Sequence, residues 1–305
     1  MATVSVIIPT YNRADLLAQA IDSVLAQTLP AWEIIVADDG STDNTAQVVA
    51  QYGQRVRYVP LPHRAQIGAT RNGGLHIATG EFIAFLDSDD LFLPDKLAIQ
   101  VPILAAQSDI ALVYSDGYYF TDDIRRSTGH VMDGLPSPSG NVLPQLLIGN
   151  FLAPPTVLVR RRHLDRVGLF REDPDLFGVE DYSLWTRLAA QFPFAFVPGE
   201  VAAIRRHPSS MSRNTVTLRK RVLRVLDEFK SLHPPLFRQY NTQFHEGYAL
   251  SCGAVAAAAV KNGRWLTGLT YTLRGMGHLL HLPGLGIPAL RAWRRRSSVR
   301  GDSAR

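Results

Sequence analysis

The sequence predicts an α/β fold: a mostly parallel sheet flanked by helices, followed by a C-terminal helical extension. Three observations predict it. Two β-branched runs, residues 4–8 and 33–37, bracket a helix-periodic segment, which is the unit that builds parallel sheets with right-handed crossovers. A third apolar run, residues 82–86, ends in the acidic cluster Asp87, Ser88, Asp89, Asp90, as a strand does when its carboxyl end opens into a crevice. Beyond residue 214 the pattern is helical, with apolar residues at helical spacing.

Taken in order, residues 4–8 form a buried first strand stopped by Pro9, and residues 10–13 form a loop from which Asn12 and Asp15 start a helix. Leu17, Ala20, Ile21, Val24 and Leu25 make its core-facing stripe. The second strand, residues 33–37, ends in Asp38-Asp39-Gly40-Ser41-Thr42-Asp43. These aspartates suit two readings, a grip on a ribose or a turn in which Ser41 or Asp43 caps the helix through Val49. Pro9-Thr10-Tyr11-Asn12-Arg13 stands where dinucleotide-binding dehydrogenases carry a glycine-rich phosphate loop, which argues against that class. Residues 55–59 are a short strand, and Gly68-Ala69-Thr70-Arg71-Asn72-Gly73-Gly74 opens a helix. Arg71 there suits a diphosphate or base edge, or else a place on the surface.

After the acidic turn come a helix through Leu104 and a strand over residues 110–114. Residues 122–141, rich in Asp, Arg, Ser, Pro and Gly, read as a flexible loop or lid. A buried segment returns over residues 150–162, and Leu184, Trp185, Leu188 and Ala189 stripe a helix that starts at Glu180-Asp181. His207 falls in a loop. Residues 218–232 read as an amphipathic helix stopped by Pro234-Pro235, and two more helices, residues 244–260 and 264–278, meet at Asn262-Gly263.

Composition narrows the function. The chain of 305 residues is 46% hydrophobic and 19% charged, enough for one large domain with an extension or for two modest ones. The single cysteine, Cys252, excludes an internal disulfide and fits a reducing compartment. The first residues carry no signal-peptide pattern, and no uninterrupted apolar stretch reaches about 18 residues, so a cytoplasmic protein without membrane spans is expected. The net charge of +5 resides in residues 286–305, which hold six arginines and Asp302; the preceding 285 residues are neutral overall. The basic balance therefore describes a tail and gives no nucleic-acid partner.

Asp87 and Asp89, two apart, let both carboxylates reach one hard cation and its anionic ligand. Mg²⁺ or Mn²⁺ is commonly held by one or two carboxylates plus phosphate oxygens. The other reading is a solvated acidic turn ahead of the helix that starts near residues 93–95. Asp181 likewise suits either chemistry or the positive end of its helix.

The order of blocks decides between these. Residues 4–13 (VSVIIPTYNR), 36–43 (VADDGSTD), 71–74 (RNGG), 86–90 (LDSDD) and Glu180-Asp181 together closely resemble the family-2 glycosyltransferases, over about residues 2–213. The resemblance implies the GT-A fold and an inverting transfer from a nucleotide-diphospho-sugar that depends on Mg²⁺ or Mn²⁺. It places Pro9, Thr10, Tyr11, Arg13, Asp39, Arg71, Asp87 and Ser88 on the nucleotide-sugar. Thr10, Tyr11 and Asp39 would hold the uracil or other base with Arg71 nearby, and Asp87 and Ser88 would lie by the ribose and diphosphate. It makes Asp89 the metal ligand, His207 a metal or diphosphate contact, and Asp181 the general base. Ala37 departs from the usual valine, and Ala-Ala-Ile-Arg-Arg precedes His207. Neither the membrane helices nor the Gln-X-X-Arg-Trp element of processive synthases follows Asp181, so single transfers are expected, with a UDP-sugar the favoured donor and a cell-surface glycan or lipid-linked acceptor. A nucleotidyltransferase that makes nucleotide sugars would need a glycine-rich basic loop after strand one, and a non-catalytic scaffold would not need Asp39, Asp89 and Asp181.

The expected division is residues 1–213 as the catalytic domain and residues 214–305 as a helical extension, whose alanine-rich hairpin reads most simply as packing against the catalytic domain or a copy of it. The extension's Leu279, Leu280, Leu282, Leu285, Ile287, Leu290 and Trp293 beside the arginines suit peripheral contact at the inner face of the membrane, although Pro283, Gly286 and Pro288 interrupt any long helix.

Overall fold

A computed structural model describes residues 2–207 and 215–282, so the basic tail and residues 208–214 lie outside the described residues. Two compact units emerge, residues 2–142 with 151–207, and residues 143–150 with 215–282.

In the first unit β1 (Val4–Thr10), β2 (Glu33–Asp38), β3 (Val56–Pro60) and β4 (Phe82–Phe85) are all parallel, in the order β3-β2-β1-β4. Helices α1 (Ala14–Leu25), α2 (Thr45–Ala50) and α3 (Ile67–Ile77) fill the crossovers. Every residue of β1 and β4 is buried, which explains why both read as unbroken apolar runs instead of alternating. The α1 stripe is buried through Val24, but Leu25 is 38% exposed. Eight positions after Leu17 it has rotated about 80° away from that residue on a 3.6-residue helix, past the edge of the seam. Helix α3 lies tight on the sheet because a Cβ at Gly74 would sit 2.7 Å from the Ile7 Cγ2.

The other half of the sheet is mixed. β7 (Val157–Arg160) is antiparallel to β4, and β6 (Leu112–Phe120) antiparallel to β7. β8 (Phe194–Arg205) runs parallel to β6, and β5 (Leu91–Phe92) closes the edge antiparallel to β8. Helices α4 (Lys96–Ala106), α6 (Arg161–Val167) and α7 (Glu180–Ala189) complete the unit.

The strand expected over residues 110–114 is β6, which starts at Leu112 and runs on to Phe120. In the fold the register shifts on either side of Asp116, and a Cβ at Gly117 would lie 2.8 Å from the Ala202 carbonyl oxygen. The glycine marks an irregular strand with close backbone approach, not its end. Neither β5, only two residues long, nor β8, whose apolar pattern Pro198-Gly199 breaks, is foreseen; that Pro-Gly pair coincides with the jump from Tyr114↔Phe196 to Asp116↔Glu200. The polar segment 122–141 is also more anchored than a lid. It bridges Tyr118 to His130 and Gly140 to Phe194, and it buries Val131 and Met132.

The second unit contains α5 (Leu143–Ile148), α8 (Thr215–Leu232), α9 (Pro234–Gln239), α10 (Asn241–Lys261) and α11 (Trp265–Leu279). Pro234-Pro235 ends α8 as expected but also opens α9, because proline suits the first turn, where the missing N–H has no helical partner. Glycines set the helix spacing: a side chain at Gly247 would collide with the Leu147 carbonyl of α5, and one at Gly268 would meet Val260 of α10. No helix among the described residues is long and apolar enough to cross a membrane.

Candidate active site

Three parallel strands deliver their carboxyl ends to one rim. Register pairs Thr10 at the end of β1 with Asp38 at the end of β2, and Ile7 with Phe85 at the end of β4. Pro9 and Thr10 are buried in β1, and the Thr10 hydroxyl has no hydrogen-bond partner among the described residues. Asn12 turns the chain with φ at +48°, which Asn tolerates. Its side-chain oxygen accepts from the Thr42 N–H at 2.7 Å, and its own N–H donates to the Ser41 hydroxyl at 2.8 Å, tying the first loop to the second.

Tyr11, 41% exposed, stacks on His63 with ring centroids 4.2 Å apart. Asp39 builds the platform under them. Its two carboxylate oxygens accept from the Arg64 and Ala65 N–H groups, both at 2.9 Å, and His63 Nδ1 lies 2.9 Å from the same carboxylate. The expected base contact at Asp39 is therefore a carboxylate already engaged by its own loop, next to the exposed Tyr11–His63 pair. Asp38 accepts from Ser41 and from the Tyr58 hydroxyl at 2.5 Å, which makes it the turn-builder of the two aspartates. His63 escapes sequence reading because a lone loop histidine carries no periodicity.

The four residues after β4 point to different partners. The Asp87 carboxylate accepts from Arg71 Nη2 at 2.7 Å. Ser88 is buried. Asp89 meets Arg13 and, at 2.8 Å, His207 Nε2, while Arg13 Nη1 lies 3.4 Å from the same imidazole nitrogen. Asp90 turns inward and accepts from the Arg205 N–H at 2.8 Å. Burial, then the charges of Asp89 and Asp87, push the Asp90 carboxyl well above the usual carboxylate range. The unforeseen strands β5 and β8 are what bring Arg205 and His207 here, since Leu91 pairs with Ala203.

Asp89 and His207 thus converge. Among the described residues no group of three or more His, Cys, Asp or Glu is placed to hold a metal ion. Two protein ligands, one oxygen and one nitrogen, fit a divalent cation that keeps its other positions for phosphate oxygens and water, and do not make a closed protein cage. Arg13 neutralises Asp89 in this structure.

Arg71 corrects the surface alternative outright: it is 2% exposed. Its guanidinium spans Asp87 and Glu180, donating to Glu180 Oε1 at 2.6 Å, and lies over the Phe170 ring. Burial alone would lower its pKa, but the carboxylates of Asp87, Glu180 and Asp181 outweigh that and raise it. Arg71 therefore locks the acidic turn to the start of α7, and Glu180, given no role from the sequence beyond the Glu180-Asp181 block and helix-end charge, is its buried partner. Glu180 also accepts from the Gly178 N–H at 2.6 Å. Asp181, the next residue, stays partly exposed. Burial and the adjacent Glu180 push its carboxyl up to about 7, against the pull of Arg71 and of the Tyr182 N–H. That places a carboxylate near neutrality close to the acidic turn, where it can accept a proton.

The family model for Glycosyl transferase family 2 matches residues 5–168. An uncharacterized glycosyltransferase of Rickettsia felis is 35% identical over 211 residues, 66% of this chain, and the chain spans only 33% of that relative's length. The putative teichuronic acid biosynthesis glycosyltransferase TuaG of Bacillus subtilis is 30% identical over 75% of this chain and 89% of its own. Among solved structures, TarS 1–349 of S. aureus in complex with UDP-GlcNAc shares the fold with a TM-score of 0.62, at 18% identity over 89% of this chain and 90% of that one. The mannosyltransferase PcManGT of Pyrobaculum calidifontis, in complex with GDP-Man and Mn²⁺, does so with a TM-score of 0.59, at 22% identity over 97% and 86%. The ordered blocks, the sheet and the family match agree, and the chain belongs to Glycosyl transferase family 2.

Proposed function

We propose that the chain is an inverting, metal-dependent glycosyltransferase that moves one sugar from a nucleotide-diphospho-sugar, a UDP-sugar by preference, to a hydroxyl of a cell-surface glycan or lipid-linked acceptor at the inner face of the membrane, without processivity. The observation that carries it is Asp181, a partly exposed carboxylate with its pKa raised to about 7, held next to the Arg71–Glu180 pair that also grips Asp87. The UDP-GlcNAc complex of a fold neighbour and the teichuronic acid biosynthesis in the name of TuaG support the donor and acceptor classes.

In this mechanism the Tyr11–His63 stack and the Asp39-built loop receive the base, and Thr10 lines the floor beneath. Asp87 and Ser88 face the ribose and diphosphate. Asp89 and His207 would hold Mg²⁺ or Mn²⁺, which when bound offsets negative charge on the departing diphosphate. Asp181 accepts the proton of the acceptor hydroxyl as its oxygen bonds to the anomeric carbon and the bond to the diphosphate oxygen breaks, inverting the centre. Arg13, paired with Asp89 here, is placed to turn to phosphate oxygens once a cation takes its partner.

The test measures melting temperature with UDP, GDP, dTDP and CDP, with and without Mn²⁺, alongside transfer from the corresponding sugars. One nucleotide raising Tm more strongly with Mn²⁺, and losing that enhancement in Asp89→Ala, is expected, because a ligand stabilises in proportion to its occupancy of the folded state. Absence of a shift with all four nucleotides at millimolar concentration would sink the reading.

A further inference from the structure

Helix α11 leaves an apolar face uncovered. Trp265, Leu266, Leu269, Leu273 and Met276, with Leu280 at its C-cap, are between 56% and 83% exposed. At about 100° per residue these six positions fall within one arc of about 100°, and no polar residue of the helix falls inside it. Gly268 and Gly275 are buried against α10, so the arc is not the face that packs. Singly exposed leucines are ordinary, but six large apolar side chains in a row along one helix are not.

Charge says what covers them. Residues 1–207 carry 16 Lys and Arg against 23 Asp and Glu, whereas residues 215–282 carry nine against three, and residues 283–305 add six against one. The neutral balance of the first 285 residues therefore hides an acidic part and a basic part. Exposed Lys261 and Arg264 flank the tryptophan end of the stripe. A second copy meeting this face two-fold would set basic unit against basic unit. An anionic surface complements it instead, and an apolar stripe with Lys261, Arg264 and tryptophan at one end suits a helix lying in the headgroup and acyl boundary.

We propose that α11 is a lipid-contact helix, seating Trp265, Leu266, Leu269, Leu273, Met276 and the adjoining Leu280 at the headgroup and acyl boundary of the facing leaflet of an anionic phospholipid bilayer, with Lys261 and Arg264 at the headgroups. This deepens the proposed placement at the membrane; flotation requires neither donor nor acceptor, so its failure leaves the transferase reading standing.

Flotation of the full chain with phosphatidylcholine vesicles, and with vesicles containing about a third phosphatidylglycerol, reads it directly. The wild type is expected to float with the anionic vesicles and not with the neutral ones, and high salt is expected to weaken the association. Leu269→Glu with Leu273→Glu should cut the bound fraction at least about tenfold, with circular dichroism and nucleotide-induced Tm shifts unchanged. Equal flotation of that variant and the wild type overturns the proposal, as does absence of flotation in the wild type. It is also overturned if Arg294→Glu, Arg295→Glu and Arg296→Glu together abolish flotation while the stripe variant floats normally, since the tail would then be the only contact. Light scattering that finds a wild-type dimer, made monomeric by the stripe variant with flotation unaltered, assigns the stripe to a second copy instead.

Discussion

The two units break the ordinary burial rule in opposite directions. The α/β unit hides ionisable groups: Arg71, Glu180, Asp90, Lys96 and Arg160 are each no more than 5% exposed. The helical unit shows oil, with the α11 stripe in the open. Each exception has its own physics. Buried ionisable groups persist in two ways: Arg71 keeps its charge between Asp87 and Glu180, whereas burial pushes the Lys96 ammonium well below its ordinary range while its nitrogen still meets the Gln100 side chain and the Val157 carbonyl. Exposed apolar surface persists when an environment outside the chain covers it. Inward-facing ionisable groups hold an arrangement of acids in place; the outward-facing apolar side chains of α11 meet no part of the described chain that buries them.

The comparison breaks most visibly at Asp181. Asp181→Asn should lower transfer by about two to four orders of magnitude, the usual worth of a positioned base, while donor binding by calorimetry stays near wild type. Near-normal transfer in that variant would remove Asp181 from the base role. Next in size is Arg71→Met, which leaves Glu180 buried and unpaired. Denaturant unfolding should show a loss of about 3–5 kcal/mol, and adding Glu180→Leu should recover part of it. A double variant no more stable than the single one would show that Arg71 acts through packing, not charge.

The raised carboxyl of Asp181 sharpens the contrast through pH. Its base form prevails above its pKa of about 7, so transfer should fall as pH drops through 7. Stability runs the other way. The folded carboxyl holds a proton that the unfolded one has already released, so this group's contribution shrinks as pH rises from the ordinary carboxylate range toward 7. Asp181→Asn should therefore gain in Tm relative to wild type across that window and show no such gain in acid. A pH-independent Tm difference would mean that the carboxyl is not raised.

Smaller effects are expected at the surface. Tyr11→Ala, which removes the partner of His63, should weaken nucleotide binding by about 1–3 kcal/mol, the usual worth of one aromatic stack on a base. Leu269→Glu with Leu273→Glu should move unfolding stability by no more than about 0.5 kcal/mol per site, because neither side chain is buried. A large loss of stability there would mean that the stripe is packed, and the contrast between the units would collapse.

Much of the α/β unit was legible because its signals are local. Residues 4–8 and 33–37 announce strands through β-branched runs, and Leu17, Ala20, Ile21 and Val24 announce a helix face through spacing alone. Asp89 and Asp181 could be singled out because their blocks occur in a recognisable order. Strand β8 was hidden because Pro198-Gly199 breaks the local pattern, and the pairing that tolerates the break lies far away in the chain, at Asp116. Arg71 carries no mark of burial in its neighbours; its partners Asp87 and Glu180 are 16 and 109 positions away.

The chain by itself determined which residues could bear charge, which runs must be buried, and where strands end in acids, since these follow from side-chain chemistry and backbone period. Only the tertiary structure decided which acid is engaged and which is poised. Asp38 and Asp39 are neighbours in sequence, yet one fastens a turn and the other a loop under Tyr11 and His63. Asp87, Asp89 and Asp90 lie within four residues, yet they meet Arg71, Arg13 with His207, and the Arg205 backbone. A carboxylate's role depends on the field and the donors around it, and those come from parts of the chain that only folding brings near.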